Sequence, residues 1–198
     1  MTTFNFKDGN GPVPAHQHVN GGGWVADSAA VSETACVGPN ARVYGNTVVS
    51  DNAQVYGNAQ VYGNATVSGN AEVSGDAFVF GNAFVYGDAR ISGNTRIYDN
   101  AFVYGDARIY GNARVTGDAV INTSKFPQIK RSDGYDFIAV PCSDGETRVI
   151  AGCRYFTFEE AETHWKETRG GTPLGDETMI ILRQLKELHT FYSTQQKG

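Results

Sequence analysis

An aliphatic residue recurs every six positions from Val25 to Val115, with no insertion between units. A small residue, nearly always Ala, follows each aliphatic residue by four positions, and a Gly-Asn or Gly-Asp pair lies between them. The small and aliphatic residues of one strand are thus two positions apart, as in a short strand with one buried face. Gly, Asn and Asp tolerate positive φ and turn the chain after each strand. A repeat sustained over this length takes precedence over any local assignment of secondary structure.

Strands that begin only six residues apart leave no room for hairpins, so the chain must keep turning in one direction as a solenoid. Three strands per turn give an 18-residue coil with a triangular cross-section. Successive coils then stack as parallel strands roughly 4.8 Å apart. We therefore predict a mainly β fold, in which residues 25–121 form a parallel β-helix of about five coils.

Residues 1–24 are predicted to form an N-terminal cap, because the open end of a solenoid exposes strand edges and core. Phe4 and Phe6 alternate with polar residues and predict one short strand, and Trp24 would close the end of the core. A second interpretation makes His16 and His18 metal ligands or a catalytic pair.

The hexad pattern ends at residue 121, and residues 122–134 are predicted to be a linker. Residues 135–198 are predicted to be a small α+β module in the order ββαα. Its predicted elements are strands Tyr135–Val140 and Thr147–Ala151 joined by an Asp-Gly turn, a helix from the Thr157/Glu160 capping box to about Thr168, and a helix from about Asp176 to Phe191. This module either caps the end of the solenoid or docks on a neighbouring subunit.

The 18-residue coil assigns every outward side chain to one of three faces. The first face carries the pairs Arg42/Tyr44, Gln60/Tyr62, Phe78/Phe80, Arg96/Tyr98 and Arg114/Thr116. The second face carries Ala30/Ser32, Val48/Ser50, Thr66/Ser68, Phe84/Tyr86, Phe102/Tyr104 and Val120/Asn122. The third face carries Cys36/Gly38, Gln54/Tyr56, Glu72/Ser74, Arg90/Ser92 and Arg108/Tyr110 and is mostly polar.

Aromatic residues on the first two faces stack in successive coils, and such pairs stabilise a sheet by roughly 0.2–1 kcal/mol each. The exposed apolar area nevertheless exceeds that of a typical monomer, so something should cover it. A closed homotrimer, with the first face of each subunit against the second face of its neighbour, is the simplest arrangement. The alternative cover is the chain's own C-terminal segment. The predicted interface residues are Tyr44, Tyr62, Phe78, Phe80, Phe84, Tyr86, Phe102 and Tyr104.

The hexads resemble those of the hexapeptide-repeat family, as in Val-Tyr-Gly-Asn-Ala-Gln at residues 55–60. This resemblance implies a left-handed parallel β-helix, and trimers are typical of the family. Gly22-Gly23-Trp24 and the sequence from Asp144 to Glu160 resemble segments of bacteriophage and prophage members, which implies a phage-type protein. The family's best-known activity, acyl transfer, uses a His general base between subunits. No His occurs between His18 and His164, so we expect no catalytic residues in the repeats.

The hexads contain five Arg and no Lys. Two arginine pairs are 18 residues apart and should stack in adjacent coils. One interpretation is that corner carboxylates screen them and that their guanidinium groups stack on Tyr98 or Tyr110. The other is an anion site, since Arg binds phosphate through two hydrogen bonds and stacks on aromatic rings. The candidate ligand-binding residues are Arg96, Tyr98, Arg114, Arg90, Arg108 and Tyr110.

Composition narrows the function further. The net charge of −5 argues against a nucleic-acid-binding protein. No apolar stretch of membrane-spanning length and no signal peptide is evident, and three cysteines without a framework spacing favour the reducing cytoplasm. Cys142, Cys153, His164 and His189 lack zinc-site spacing, so we expect no metal and no cofactor.

Three functions remain open. The preferred one is a non-catalytic, phage-type oligomer in the host-cell cytoplasm. It would sequester an anionic small molecule, such as a nucleotide signal of host defence, or bind a host protein. The second is a structural or virion-associated spacer, and the third is a hexapeptide-repeat acyltransferase.

Overall fold

The computed structural model describes residues 2–122, 126–152 and 154–195. Its main part is a parallel β-solenoid of about five coils, which confirms the predicted fold class. Each coil adds one two- or three-residue strand to each of three sheets, one per face. The first-face strands are Trp24–Ala26, Arg42–Val43, Gln60–Val61, Phe78–Val79, Arg96–Ile97 and Arg114–Val115. The second-face strands are Ala30–Val31, Val48–Val49, Thr66–Val67, Phe84–Val85, Phe102–Val103 and Val120–Ile121. The third-face strands are Cys36–Val37, Gln54–Val55, Glu72–Val73, Arg90–Ile91 and Arg108–Ile109.

The core of the solenoid is formed by the repeated Ala and aliphatic positions, and the side chains at these positions from Ala35 to Ile121 are almost completely buried. Thr47 and Thr95 replace Ala and are also buried. Each satisfies its hydroxyl by donating to a backbone carbonyl three residues earlier, at 2.6 Å. A polar residue is thus accepted in the core because its hydrogen bond is made locally.

The corners are held by hydrogen bonds between successive coils. Corner glycines have positive φ, as at Gly75 with +67°, where a Cβ would approach the backbone nitrogen of Gly93 to 2.9 Å. The following Asn side chains donate to the residue 18 positions later, for example Asn58 Nδ2 to Asp76 Oδ1 at 2.9 Å. The Gly-Asn and Gly-Asp pairs therefore fix both the turn and the vertical register of the stack.

The N-terminal segment is an antiparallel hairpin of strands Thr3–Asn5 and Pro12–Gln17, so one predicted strand is in fact two. Pro12–Gln17 pairs with Trp24–Ala26 and extends the first-face sheet at its starting edge. The ring of Phe4 stacks on Trp24, with centroids 4.4 Å apart, and Phe6 stacks on Tyr44 at 4.8 Å. Trp24 therefore packs under the hairpin beside the first face.

The C-terminal module contains a four-stranded antiparallel sheet, not the two strands expected. Its strands are Gln128–Lys130, Asp136–Pro141, Thr147–Ala151 and Arg154–Phe156, and its helices are α1 (Phe158–Arg169) and α2 (Pro173–Gln195). The first strand lies within the segment treated as a linker from sequence. The Thr157/Glu160 capping box is present at the start of α1.

The two faces of this sheet have different partners. Ile138, Val140 and Ile150 join the solenoid core at its last coil. Phe137 and Val149, on the opposite face, pack against α1 and α2. The module therefore closes the C-terminal end of the solenoid of its own chain.

Candidate functional site

The aromatic rows on the outside of the solenoid are stacked as their 18-residue spacing predicts. On the first face the rings of Tyr44, Tyr62, Phe80 and Tyr98 lie 4.9–5.0 Å apart and within 5° of parallel. On the second face Phe84 stacks on Phe102 at 5.0 Å, and Tyr86 stacks on Tyr104 at 4.9 Å.

These rows differ in exposure. Tyr44 is 8% exposed, because Phe6 of the N-terminal hairpin covers it, and burial raises the pKa of its hydroxyl to about 12. It therefore lies within the single chain and offers little surface to a neighbour. Phe84 and Tyr86 are each 38% exposed and Phe102 is 36% exposed. The C-terminal module packs on the end of the solenoid, and its described residues leave Phe84, Tyr86 and Phe102 exposed.

The order of positions around a coil places the aromatic rows on both sides of one corner. Phe80 is the last outward residue of a first-face strand, and Phe84, four residues later, is the first outward residue of a second-face strand. Tyr98 and Phe102 repeat this arrangement one coil further on. The result is one aromatic band across the corner between the first and second faces.

The two arginine pairs are register neighbours as expected: Arg90 lies opposite Arg108, and Arg96 lies opposite Arg114. The Arg90 guanidinium lies 3.5 Å from a Glu72 carboxylate oxygen in the preceding coil. Asp88 and Asp106 occupy the corner just before this pair. Arg90 is therefore paired with a carboxylate, whereas Arg108 has none within 4.0 Å among the described residues.

The first-face pair has different surroundings. Asn94 and Asn112, which are neutral, occupy the corner positions two residues before Arg96 and Arg114. Among the described residues, no carboxylate oxygen lies within 4.0 Å of either guanidinium group. The Arg96 guanidinium lies over the ring of Phe78, 5.5 Å from its centroid, and not over Tyr98. This pair therefore concentrates positive charge with no direct ion pair among the described residues.

Tyr98 and Tyr110 lie on opposite sides of these arginines. Tyr98 follows Arg96 on the same strand and stacks on Phe80. Tyr110 follows the third-face strand Arg108–Ile109, four residues before Arg114, and is 61% exposed. The first-face pair and Tyr110 thus border one corner, whereas Arg90 and Arg108 border another.

A residue that the sequence analysis missed lies beside Arg114. Asp136 begins a strand of the C-terminal sheet, and with Arg114 and Asn112 it lines a cavity of about 220 Å³ at the junction with the last coil. Its carboxylate is buried, and no signal in the sequence distinguishes it from an exposed loop Asp.

The His and Cys side chains that the structure describes do not assemble a metal centre. No group of three or more His, Cys, Asp or Glu side chains with suitable geometry occurs in residues 2–122, 126–152 and 154–195. His189 bonds to Thr147, His164 packs against Phe156, and the Cys142 thiol contacts the Tyr155 hydroxyl at 2.9 Å. Cys153 lies outside the described residues.

His16 and His18 lie on the N-terminal hairpin and the loop after it, at the opposite end of the solenoid from Arg114. His16 Nδ1 is 2.8 Å from a carboxylate oxygen of Asp27, and both side chains are exposed. His18 is buried and bonds to Asn20. In the described chain, no helix is long and apolar enough to cross a membrane.

Comparison with known families found one match. Residues 59–75, 83–96 and 107–122 match the family model described as the YdcK beta solenoid repeat. The matched segments lie within the coils, so this similarity supports a β-solenoid repeat protein. Comparison with curated proteins gave no significant match. Comparison with solved structures gave none either.

Proposed function

We propose that this protein is a non-catalytic homotrimer of phage type that captures an anionic small molecule between its subunits. The observation that carries the proposal is the first-face pair Arg96 and Arg114, which are register neighbours on strands about 4.8 Å apart and have no carboxylate oxygen of the described residues within 4.0 Å of either guanidinium group. Like charges held this close repel, so a bound anion would stabilise the arrangement.

The aromatic band supports the assembly. Phe84 and Phe102 expose more than a third of their side chains in the single chain, in a continuous row with Tyr86 and Tyr104. Exposed apolar patches of this kind are typical of protein–protein contacts. Packing the second face of one subunit on the first face of the next closes a threefold ring and covers both rows.

The ligand is expected to carry phosphate groups. Two guanidinium groups provide donors in pairs that match phosphate oxygens, and exposed Tyr110 offers a surface on which a base can stack. A nucleotide signal of host defence in the cytoplasm of an infected cell has this chemistry, and sequestering it requires no catalytic group.

Native mass spectrometry tests this function directly. The protein purified from cells is measured before and after denaturing release of small molecules. We expect a trimer with a phosphorylated compound, which Arg96→Ala and Arg114→Ala lose. Arg90→Ala is the matched control, because the Arg90 guanidinium is paired with Glu72 at 3.5 Å. A trimer that takes up neither added nucleotides nor pyrophosphate would overturn ligand capture, and a monomer would overturn the assembly.

A structural spacer is the second candidate function. Uninterrupted coils, extended at one end by the hairpin and closed at the other by the C-terminal module, favour it. A ligand-free trimer would support this role.

An acyltransferase has one supporting observation, the His16–Asp27 contact, because a carboxylate orients a histidine general base. Acetyl-CoA turnover that is abolished by His16→Ala would establish this activity.

A further inference from the structure

The cavity at the junction of solenoid and C-terminal module combines charged and apolar walls. Arg114 and Asn112 contribute from the last coil, and Asp136, Ile138, Ile150 and Tyr135 contribute from the module. Its volume of about 220 Å³ lies below the 300–1,000 Å³ of sites that enclose a drug-sized ligand. It therefore suits the head group of a small molecule, with the rest of the molecule outside.

Asp136 is the unusual member of this cavity. Its side chain is 6% exposed, and neither carboxylate oxygen receives a hydrogen bond from the described residues. The nearest cation, Lys130 Nζ, is 3.8 Å away, which is beyond hydrogen-bond distance. Buried carboxylates without hydrogen bonds are unfavourable and rare in folded proteins. Apart from its pairing with Lys130 on the neighbouring strand, this charge has no partner among the described residues.

We propose that this cavity binds the guanidine-type end of a small molecule, with two N–H groups donating to the Asp136 carboxylate. Paired N–H donors match the two oxygens of a carboxylate in a planar, bidentate arrangement. Ile138 and Ile150, which are paired on neighbouring strands, give the cavity an apolar wall. Arg114 at the same cavity disfavours a simple cation and favours a ligand that also carries an anionic group.

Two kinds of molecule have this chemistry: a guanine nucleotide, whose base edge presents two N–H donors beside its phosphate, and a guanidino acid such as arginine. The inference rests on the proposed function only for the anionic group of the ligand. This group would extend from the cavity along Arg114 toward Arg96. The cavity itself is formed within one chain and does not require the trimer.

Calorimetric titration with matched ligand pairs tests the site. GMP is compared with AMP, which lacks the paired donors, and L-arginine is compared with L-citrulline, which lacks the charge. We expect the first member of at least one pair to bind about tenfold or more tightly than the second. In Asp136→Asn this preference should fall to about one, while the melting temperature stays the same or rises. Asp106→Asn, an exposed corner change, is the matched control and should keep the preference.

The outcomes separate the alternatives. Preference for GMP or for arginine identifies the ligand class and supports the site. Equal binding within both pairs, or no binding at millimolar concentrations, would overturn the proposed site. A clearly lowered melting temperature of the Asp136→Asn variant would also overturn it, because the carboxylate would then stabilise the fold. Trimer mass and pyrophosphate binding report on the proposed function separately. Loss of both with retained, Asp136-dependent arginine binding would refute the proposed function and leave the cavity site standing.

Discussion

Asp99 occupies a corner position that is glycine in most coils, and it has the left-handed backbone of those glycines, with φ of 57°. Its carboxylate accepts hydrogen bonds from the Thr116 hydroxyl and from the Gly117 N–H. Asp51 is the second such corner, with φ of 59° and a hydrogen bond from the Gly69 N–H at 3.0 Å. The carboxylate thus offsets a conformation that is unfavourable for an L-residue by roughly 1–2 kcal/mol.

This balance predicts different stabilities for two small substitutions. Asp99→Ala keeps the left-handed strain and loses the hydrogen bonds, whereas Asp99→Gly loses the hydrogen bonds and relieves the strain. We expect the Ala variant to be about 1 kcal/mol less stable than the Gly variant. Urea denaturation measures the difference, and equal stabilities would show that the corner is unstrained.

His189 gives the molecule a stability that depends on pH. It lies on α2, its Nε2 is 2.8 Å from the Thr147 hydroxyl, and burial lowers its pKa below the ordinary 6.5. A lowered folded pKa means that the unfolded chain binds the proton more readily. Stability is therefore complete above about pH 6.5 and falls as the pH drops toward the lowered value. Melting temperatures between pH 7 and 5 should decrease in the wild type and decrease less in His189→Asn. The same slope in both proteins would exclude His189 as its source.

At the scale of elements, a strand or helix could be predicted from the sequence where its partners lie at a fixed or short distance along the chain. The hexad strands pair 18 residues apart, so the repeat alone determined faces, registers and core. Helix α1 was predicted from Thr157 and Glu160, because a capping box is a local signal. Gln128–Lys130 and Arg154–Phe156 are short strands that depend on pairing within the module, and their sequences carry no alternation that marks them.

The same reasoning explains the missed part of the candidate site. Asp136 is polar and follows a turn, which in a sequence indicates exposure. Its burial results from docking of the module on the last coil, a contact between segments about 20 residues apart that no local pattern encodes. The arginine pairs were predictable because their position depends only on the repeat.

The docking of the module predicts how its loss would affect the solenoid. Ile138 is 1% exposed and packs into the last coil. We expect Ile138→Ala to lower the unfolding free energy by about 2–5 kcal/mol. It should also speed hydrogen exchange of the Phe102 and Tyr104 amides, which bond to the last second-face strand.

Val149→Ala is the control, because Val149 is equally buried but packs against the helices. It should leave exchange in the last coil nearly unchanged. If both variants affect the last coil alike, the sheet and the solenoid do not dock through one distinct face.

At the scale of the whole molecule, charge and apolar surface are segregated. The aromatic band lies across the corner between the first and second faces, and the arginine pair lies at the other edge of the first face. A neighbour that covers the whole width of the first face would form a wall beside the arginines as well. Assembly and ligand capture would then be linked, because an anion between subunits stabilises the oligomer that binds it.

Two equally exposed aromatic residues distinguish a trimer formed through the first and second faces from association driven by exposed apolar residues in general. Phe84 on the second face is 38% exposed, and Tyr56 on the third face is 39% exposed. Phe84→Lys places a charge in the proposed interface, and we expect it to yield monomers with a melting temperature that no longer rises with protein concentration. Tyr56 faces water, and its hydroxyl donates to a Glu72 carboxylate oxygen. In the proposed trimer it lies outside the interface, so the Tyr56→Lys variant should remain trimeric. Light scattering coupled to size-exclusion chromatography gives the masses. If Phe84→Lys stays trimeric, or if Tyr56→Lys alone dissociates, the subunits do not meet through the first and second faces, and Arg96 and Arg114 do not lie between them.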